Sequence, residues 1–423
     1  MKKKVLLFEA YPVFSGAQRA SLNFCKVLRQ NDYHITLMLA DDPTGILAEK
    51  FGPYVDEIVQ MNTNKRLTTY GKADQWFNPF TFVRVFFTAL LPFFFDCLRI
   101  FSKGNFDFFY FCDPRGSAMI SVPAFFFRGK KIMYLQSKNR INPLISRLLY
   151  MTFTDHVVCP SEDVKNSLPP SRKTVVINYG IDFTQYARVD EARVRHELPQ
   201  VLSPAHHSRT KLLYAGLIKP QKGLHHLIDA LGTLKPQMAD AQFPVLLLLG
   251  EPSNPAEVAF KRVLVERCRQ TGIEPFIYWL GWKDNVLEWM RNADYFVFPT
   301  IDKEICSFEG YDRIIESTEG SPVVLIESSL CGLFAVTSRV TGVTDTIVEN
   351  ANGLTYDPNE PDGLTACLKL VLVEKPRFQG FPTQRKFSLD TFATKFLTLL
   401  GQSPAAVVET QSPTCAHPVP SQV

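Results

Sequence analysis

Short apolar runs recur along this 423-residue chain, and longer segments of helical period lie between them. That alternation constrains the fold more than any other feature. A run such as Val5-Leu6-Leu7-Phe8 has no polar face, so it must be covered on both sides, as in a parallel sheet between helix layers. Strands are expected at residues 5–9, 35–40, 57–60, 106–111, 131–135, 156–160 and 174–178, with helices such as 16–29 and 143–151 between them. A second set follows at 211–215, 244–249, 276–280, 295–298, 334–337 and 354–356, with helices near 222–234, 256–271, 285–291, 323–331 and 361–373.

Two such sets in tandem imply an α/β protein of two Rossmann-like domains facing a cleft, with ligands at the carboxyl ends of the strands. The first domain is placed at 1–180 and the second at 211–402, with the last helix expected to pack back on the first domain. The polar stretch 181–210, with Pro199, Pro204 and His206-His207, reads as a linker. Residues 403–423 lack any period and read as a disordered tail.

Charge is unevenly divided. Residues 1–180 carry 23 Lys and Arg against 14 Asp and Glu, while residues 181–423 carry 23 against 28. The first domain therefore favours anionic partners. It also holds 13 of the 34 phenylalanines between Phe77 and Phe111. The segment from Phe80 to Phe101 is interrupted by Arg84, Pro92, Asp96 and Arg99, so it does not read as a membrane span. Two readings stay open for it: an apolar core helix, or an interfacial segment resting on an anionic membrane. Nine cysteines without a C-x-x-C pair argue for reduced core thiols and a cytoplasmic setting. Glu9 breaks the apolar run after Lys2-Lys3-Lys4, so a secretory leader is not expected. The basic residues are spread out and accompany no nucleic-acid recognition motif, which argues against such a partner.

Three loops suit one kind of ligand. Ser15-Gly16-Ala17 follows the first strand and opens a helix, where Gly16 lets backbone amides approach an anion. Tyr214-Ala215-Gly216 ends a strand, and Lys219-Pro220-Gln221-Lys222-Gly223 opens the next helix, so Lys222 is a cation for phosphate oxygens. A solvated lysine at a helix end is the plainer reading. Glu319-Gly320-Ser321-Pro322-Val323-Val324-Leu325-Ile326-Glu327 places two carboxylates on either side of a helix start. Its free amides suit a diphosphate and its carboxylates suit hydroxyl groups. Glu327 lies in an apolar segment and needs a partner.

With Ser328-Ser329-Leu330-Cys331-Gly332, Thr341-Gly342-Val343-Thr344-Asp345 and Asn352-Gly353-Leu354 following in order, the chain resembles the retaining GT-B glycosyltransferases of glycosyltransferase family 4, from Ser15 to about Leu400. The resemblance implies a metal-independent hexosyltransferase of polysaccharide or glycolipid synthesis, using a nucleotide-diphosphate sugar as donor and no cofactor. A glycan or lipid-linked acceptor would be bound by the first domain, whose basic, Phe-rich composition fits work at the inner face of an anionic membrane. It implies that Glu319 contacts the donor sugar, Glu327 the ribose, and Lys222 the leaving diphosphate. Gly16, Gly216, Gly320, Ser321, Val323 and Val324 would assist. Departures from the pattern are Leu217 where an Arg is common and Gln136 where a His is common; Gln136 is taken as a hydrogen-bonding group at the catalytic position. Alternatives are a catalytically impaired GT-B protein that binds nucleotide sugar or membrane, and a nucleotide-sugar epimerase. Residues 301–318, with Glu304, Glu309, Asp312 and Glu316, read as an inserted loop that shapes acceptor choice, or as a solvated insertion.

Overall fold

The structure is a computed structural model, and it describes residues 2–12, 14, 16–61, 83–84, 86–112, 114–187, 189–308, 311–317 and 319–402. The reading of Ser15, of Glu309 and of the tail 403–423 lies outside these residues, as does that of 80–82 and Val85. Two compact units emerge, one holding Met1–Ile181 and Phe392–Leu400, the other Asp182–Thr391.

Seven strands form the sheet of the first unit: β1 Lys4–Glu9, β2 His34–Leu39, β3 Glu57–Gln60, β4 Phe108–Cys112, β5 Lys130–Tyr134, β6 His156–Cys159 and β7 Thr174–Val176. All pair in parallel in the order β3-β2-β1-β4-β5-β6-β7. The central strands are apolar and buried because helices cover both faces. Val5, Leu6, Leu7 and Phe8 are fully buried, as are Phe109 and Tyr110 of the adjacent strand. The last helix, Leu389–Leu399, brings Phe396 against Phe24 and Tyr134 with ring centroids 4.5 and 6.1 Å away.

The second unit repeats the pattern with β8 Lys211–Ala215, β9 Val245–Leu249, β10 Ile277–Gly281 and β11 Tyr295–Phe298. An antiparallel hairpin, β12 Lys303–Phe308 and β13 Tyr311–Glu316, interrupts the series before β14 Phe334–Ser338 and β15 Gly353–Tyr356. Its six parallel strands run β10-β9-β8-β11-β14-β15, so the strand order reverses between β8 and β11. That reversal opens a crevice at the carboxyl ends of those two strands.

Two expectations change. The stretch 181–210 is no bare linker: it carries the helix Ala192–Val201, which buries Val194 and Leu198, and from Asp182 onward it belongs to the second unit. The stretch 301–318 is a hairpin rather than a loop. Side chains of β12 alternate, with Cys306 buried while Lys303, Ile305 and Ser307 are exposed, which is the two-residue period of a strand with one covered face. Across the pair, exposed Ile305 faces exposed Ile314. Among the described residues no helix is long and apolar enough to cross a membrane.

Candidate active site

The crevice of the second sheet is built by three chain segments. The first leaves β8 through Gly216, turns at Pro220–Lys222 and enters the helix Leu224–Leu234. Gly223 makes that entry possible. Its φ is +67°, and a Cβ there would lie 1.9 Å from the carbonyl oxygen of Pro299. Only glycine allows the turn to lean on the end of β11. Lys222 is thereby held over the ring of Phe298, its Nζ 5.1 Å from the centroid.

The second segment is the end of β11, where Pro299 and Thr300 continue into the hairpin. Side chains of β14 fix it: Thr337 Oγ1 donates to the carbonyl of Phe298 at 3.1 Å, and Ser338 Oγ to that of Thr300. The third segment runs from Glu319 into the helix Val323–Leu330. No side chain caps that helix, so its first amides face the approaching loop without a side-chain acceptor. Its far side is anchored by Leu325, Ile326 and Leu330, all buried, each stabilising the packing by ~1.5–3 kcal/mol. Asn352 ties it to β15 by donating to Ser329 Oγ and to the Thr346 carbonyl, both at 3.0 Å. Gly342 lies beneath the loop with φ of +79°. A Cβ there would sit 2.4 Å from the carbonyl oxygen of Gly320.

These segments bring Lys222 and Glu319 together across 97 residues of sequence, with Nζ 2.5 Å from Oε1 and side chains only 17% and 16% exposed. A pair this sheltered is screened little by solvent, so each charge depends on the other. The field reaches its neighbours. Burial pushes the Tyr214 phenol well up, and the Glu319 charge adds to it. Burial draws the Lys219 ammonium down, and the Lys222 charge adds to that, with Glu319 and Glu257 acting in the opposite sense. Leu217, where a second cation was looked for, is 46% exposed.

Glu327 stands one turn into the helix, partly buried, and accepts a long hydrogen bond of 3.4 Å from the Tyr186 hydroxyl. Gly320, Ser321, Val323 and Val324 follow Glu319 directly, as their sequence positions require. Ser321 Oγ and Thr300 Oγ1 are buried and have no hydrogen-bond partner among the described residues. Unsatisfied hydroxyls are costly, and these two lie in the segments that build the crevice of the part-buried ion pair. Thr300 was not singled out in the sequence, since nothing local marks a buried threonine as unpartnered.

Gly16 and Gln136 belong to the first unit and lie near each other there. Gly16 opens the helix Gly16–Gln30, and no atom lies within 4 Å of a Cβ built on it. Gln136 is 6% exposed, and its amide is occupied. Its Nε2 donates to the Ala17 carbonyl at 3.1 Å, and its Oε1 accepts from the Tyr179 hydroxyl at 3.3 Å. That side chain bolts the start of the helix to the end of β5. The sequence offered no sign of it, because both partners are remote in the chain. A cavity of about 550 Å³ runs along the edge strand β3, from Lys4 and His34 at the amino ends of β1 and β2 to Gln60 and Met61 at the carboxyl end of β3.

Residues 202–387 match the family model described as Glycosyl transferases group 1. A curated relative, the D-inositol 3-phosphate glycosyltransferase of Jonesia denitrificans, is 27% identical over 220 residues, which cover 51% of this chain and 43% of that protein. The match thus spans less than half of the relative's length. Among solved structures, Anabaena HepE in complex with UDP and glucose aligns with a TM-score of 0.72 over 95% of this chain and 100% of that one, at 16% identity. The sucrose-phosphate synthase of Thermosynechococcus elongatus aligns with a TM-score of 0.71 over 95% and 99%, at 15% identity. At these identities the likeness is one of fold. Two parallel doubly wound sheets, the order of the second reversing beside Lys222 and Glu319, give this chain the GT-B fold, and its residues 202–387 match the glycosyl transferases group 1.

Proposed function

We infer that the protein is a retaining glycosyltransferase that moves a hexose from a nucleotide-diphosphate sugar to a glycan or lipid-linked acceptor. The observation that carries this reading is the sheltered Lys222–Glu319 pair at the strand-order reversal of the second sheet. Solved HepE complexes contain UDP and UDP-glucose, which supports a nucleotide-sugar donor.

On this reading the diphosphate draws Lys222 away from Glu319, and the free amides of Val323 and Val324 and the Ser321 hydroxyl take its oxygens. Glu319, released from the lysine, accepts from sugar hydroxyls, and Glu327 accepts from the ribose. The bond between the anomeric carbon and the phosphate oxygen lengthens, with positive charge on the sugar and negative charge on the diphosphate. Lys222 stabilises the latter where it develops. The acceptor hydroxyl attacks the same face, and its proton passes to the departing phosphate oxygen. The positive charge the leaving group needs comes from Lys222 and the helix amides, so the step as proposed uses no metal. Gln136 holds the start of the first unit's helix through Ala17 and Tyr179, and its second N–H and second oxygen lone pair are the groups it would offer a substrate hydroxyl.

The first unit is read as the acceptor side, working at an anionic membrane surface from the cytoplasm in polysaccharide or glycolipid synthesis. Phe87, Phe95, Phe125 and Phe126 are 54–71% exposed, and Arg84, Arg99 and Arg128 are exposed in the same helical segments and the turn after them. Phe94 and Phe126 join two of those segments with ring centroids 5.7 Å apart. Apolar rings among cations suit lipid headgroups and acyl chains.

The test is thermal stabilisation by UDP-, GDP- and ADP-sugars followed by transfer assays with the donor that binds. One donor is expected to raise the melting temperature. Absence of stabilisation by all three would overturn the reading.

A further inference from the structure

Away from the donor site, the hairpin and the helix Leu224–Leu234 bring together three metal-ligating side chains. His225 and His226 stand at the second and third positions of the helix, and Glu304 projects from β12. His225 Nε2 lies 2.6 Å from Glu304 Oε1, and His226 Nε2 lies 2.6 Å from Oε2. One donor atom from each residue falls within 4.8 Å of the others. The imidazole centroids are only 4.1 Å apart. Both oxygens of the Glu304 carboxylate thus face imidazole nitrogens that converge on the same point. The nearby Arg267 is engaged by Asp229 at 2.8 Å.

We propose that His225, His226 and Glu304 bind one divalent cation of the zinc class, with the fourth coordination position open to water. Two imidazole nitrogens and one carboxylate oxygen form a donor set this class prefers. Bonds of ~2.0–2.2 Å in tetrahedral geometry put ligand atoms roughly 3.3 Å apart. The observed 2.6 Å contacts need to open by less than 1 Å, which a small rotation of the side chains provides. Binding takes the Nε2 lone pair of each ring. A neutral ring shifts its proton to Nδ1, and an imidazolium releases one proton to solvent. An open cavity of about 380 Å³, lined by the three ligands with Phe260, Cys306 and Phe308, supplies the entry path. His225 Nδ1 is buried and has no hydrogen-bond partner among the described residues, and without the outer hydrogen bond that tightens such sites the affinity is correspondingly lower.

The cation would clamp the hairpin to the helix that begins just after Lys222 and Gly223. Its role is structural, outside the transfer step. The test uses the full chain, stripped with chelator and titrated with Zn²⁺ by calorimetry and with Co²⁺ by absorption. One equivalent is expected to bind saturably, to raise the melting temperature, and to give a Co²⁺ spectrum free of thiolate charge transfer. Glu304→Gln and His226→Gln are each expected to weaken binding at least ~10-fold. His226, with its side chain 43% exposed, gives the variant least prone to misfold. Circular dichroism of the stripped proteins checks that both are folded. Absence of saturable binding, unchanged affinity in the folded variants, or a thiolate band from the cysteines would each overturn the site. The three residues would then be a hydrogen-bonded clamp alone.

Discussion

Lys222 and Glu319 each leave a stranded charge if the other is removed, which sets two predictions at the scale of single residues. Lys222→Ala is expected to lower the transfer rate by about 10²–10³-fold, the usual cost of losing one positioned charge at a developing anion. Glu319→Ala is expected to lower it comparably, and circular dichroism should show both variants folded; full activity in either would contradict the assignment. Gly223→Ala belongs to a different class. A Cβ at positive φ costs ~1–2 kcal/mol by itself, and here it also meets the Pro299 carbonyl. The variant should lose at least ~2 kcal/mol of unfolding free energy in a denaturant titration, together with donor binding. Lys222 and Glu319 were legible in the sequence because helix-start chemistry is local: glycine, proline and charge fall within a few positions of one another. The buried hydroxyl of Thr300 and the contacts that hold Gln136 were not. Their partners, or lack of them, are decided by residues such as Ala17 and Tyr179 that only the fold brings near.

At the scale of elements, the phenylalanine-rich segment divides by face. In the helix Leu91–Gly104, Phe93 and Cys97 are buried while Phe95 is 59% exposed. Among its described residues one face is core, as the core-helix reading expects, and the other lies bare, which leaves the membrane reading to be tested. Phe93→Ala should destabilise the protein by about 3–5 kcal/mol. Replacing Phe95, Phe125 and Phe126 with Asp should leave the fold intact and reduce sedimentation with anionic vesicles at low salt. Unchanged sedimentation, or none by the native protein, would count against membrane docking. The parallel strands were readable because a strand covered on both faces must be apolar throughout, and few other structures demand that. The hairpin escaped because its exposed face carries Lys303, Ser307 and Asp312, residues equally at home in a loop. Its two-residue alternation was present, but short.

At the scale of the molecule, the chain crosses from one unit to the other and returns. Phe396 of the final helix packs on Phe24 and Tyr134 and completes the core of the first unit. Phe396→Ala should therefore speed hydrogen exchange in β4 and β5 while donor binding by the second unit persists. Tandem α/β architecture was legible from the doubled pattern of strands. The boundary was less so, because a polar helix such as Ala192–Val201 buries only a narrow stripe and resembles linker in composition. The central claim is that the second unit holds a diphosphate through Lys222. Calorimetric titration of the native protein and of Lys222→Ala with the nucleoside diphosphate of the stabilising donor tests it most directly. The account predicts saturable binding by the native protein, weakened at least ~10-fold in the folded variant, consistent with losing one charge-assisted contact. Equal affinity in the two proteins would contradict it.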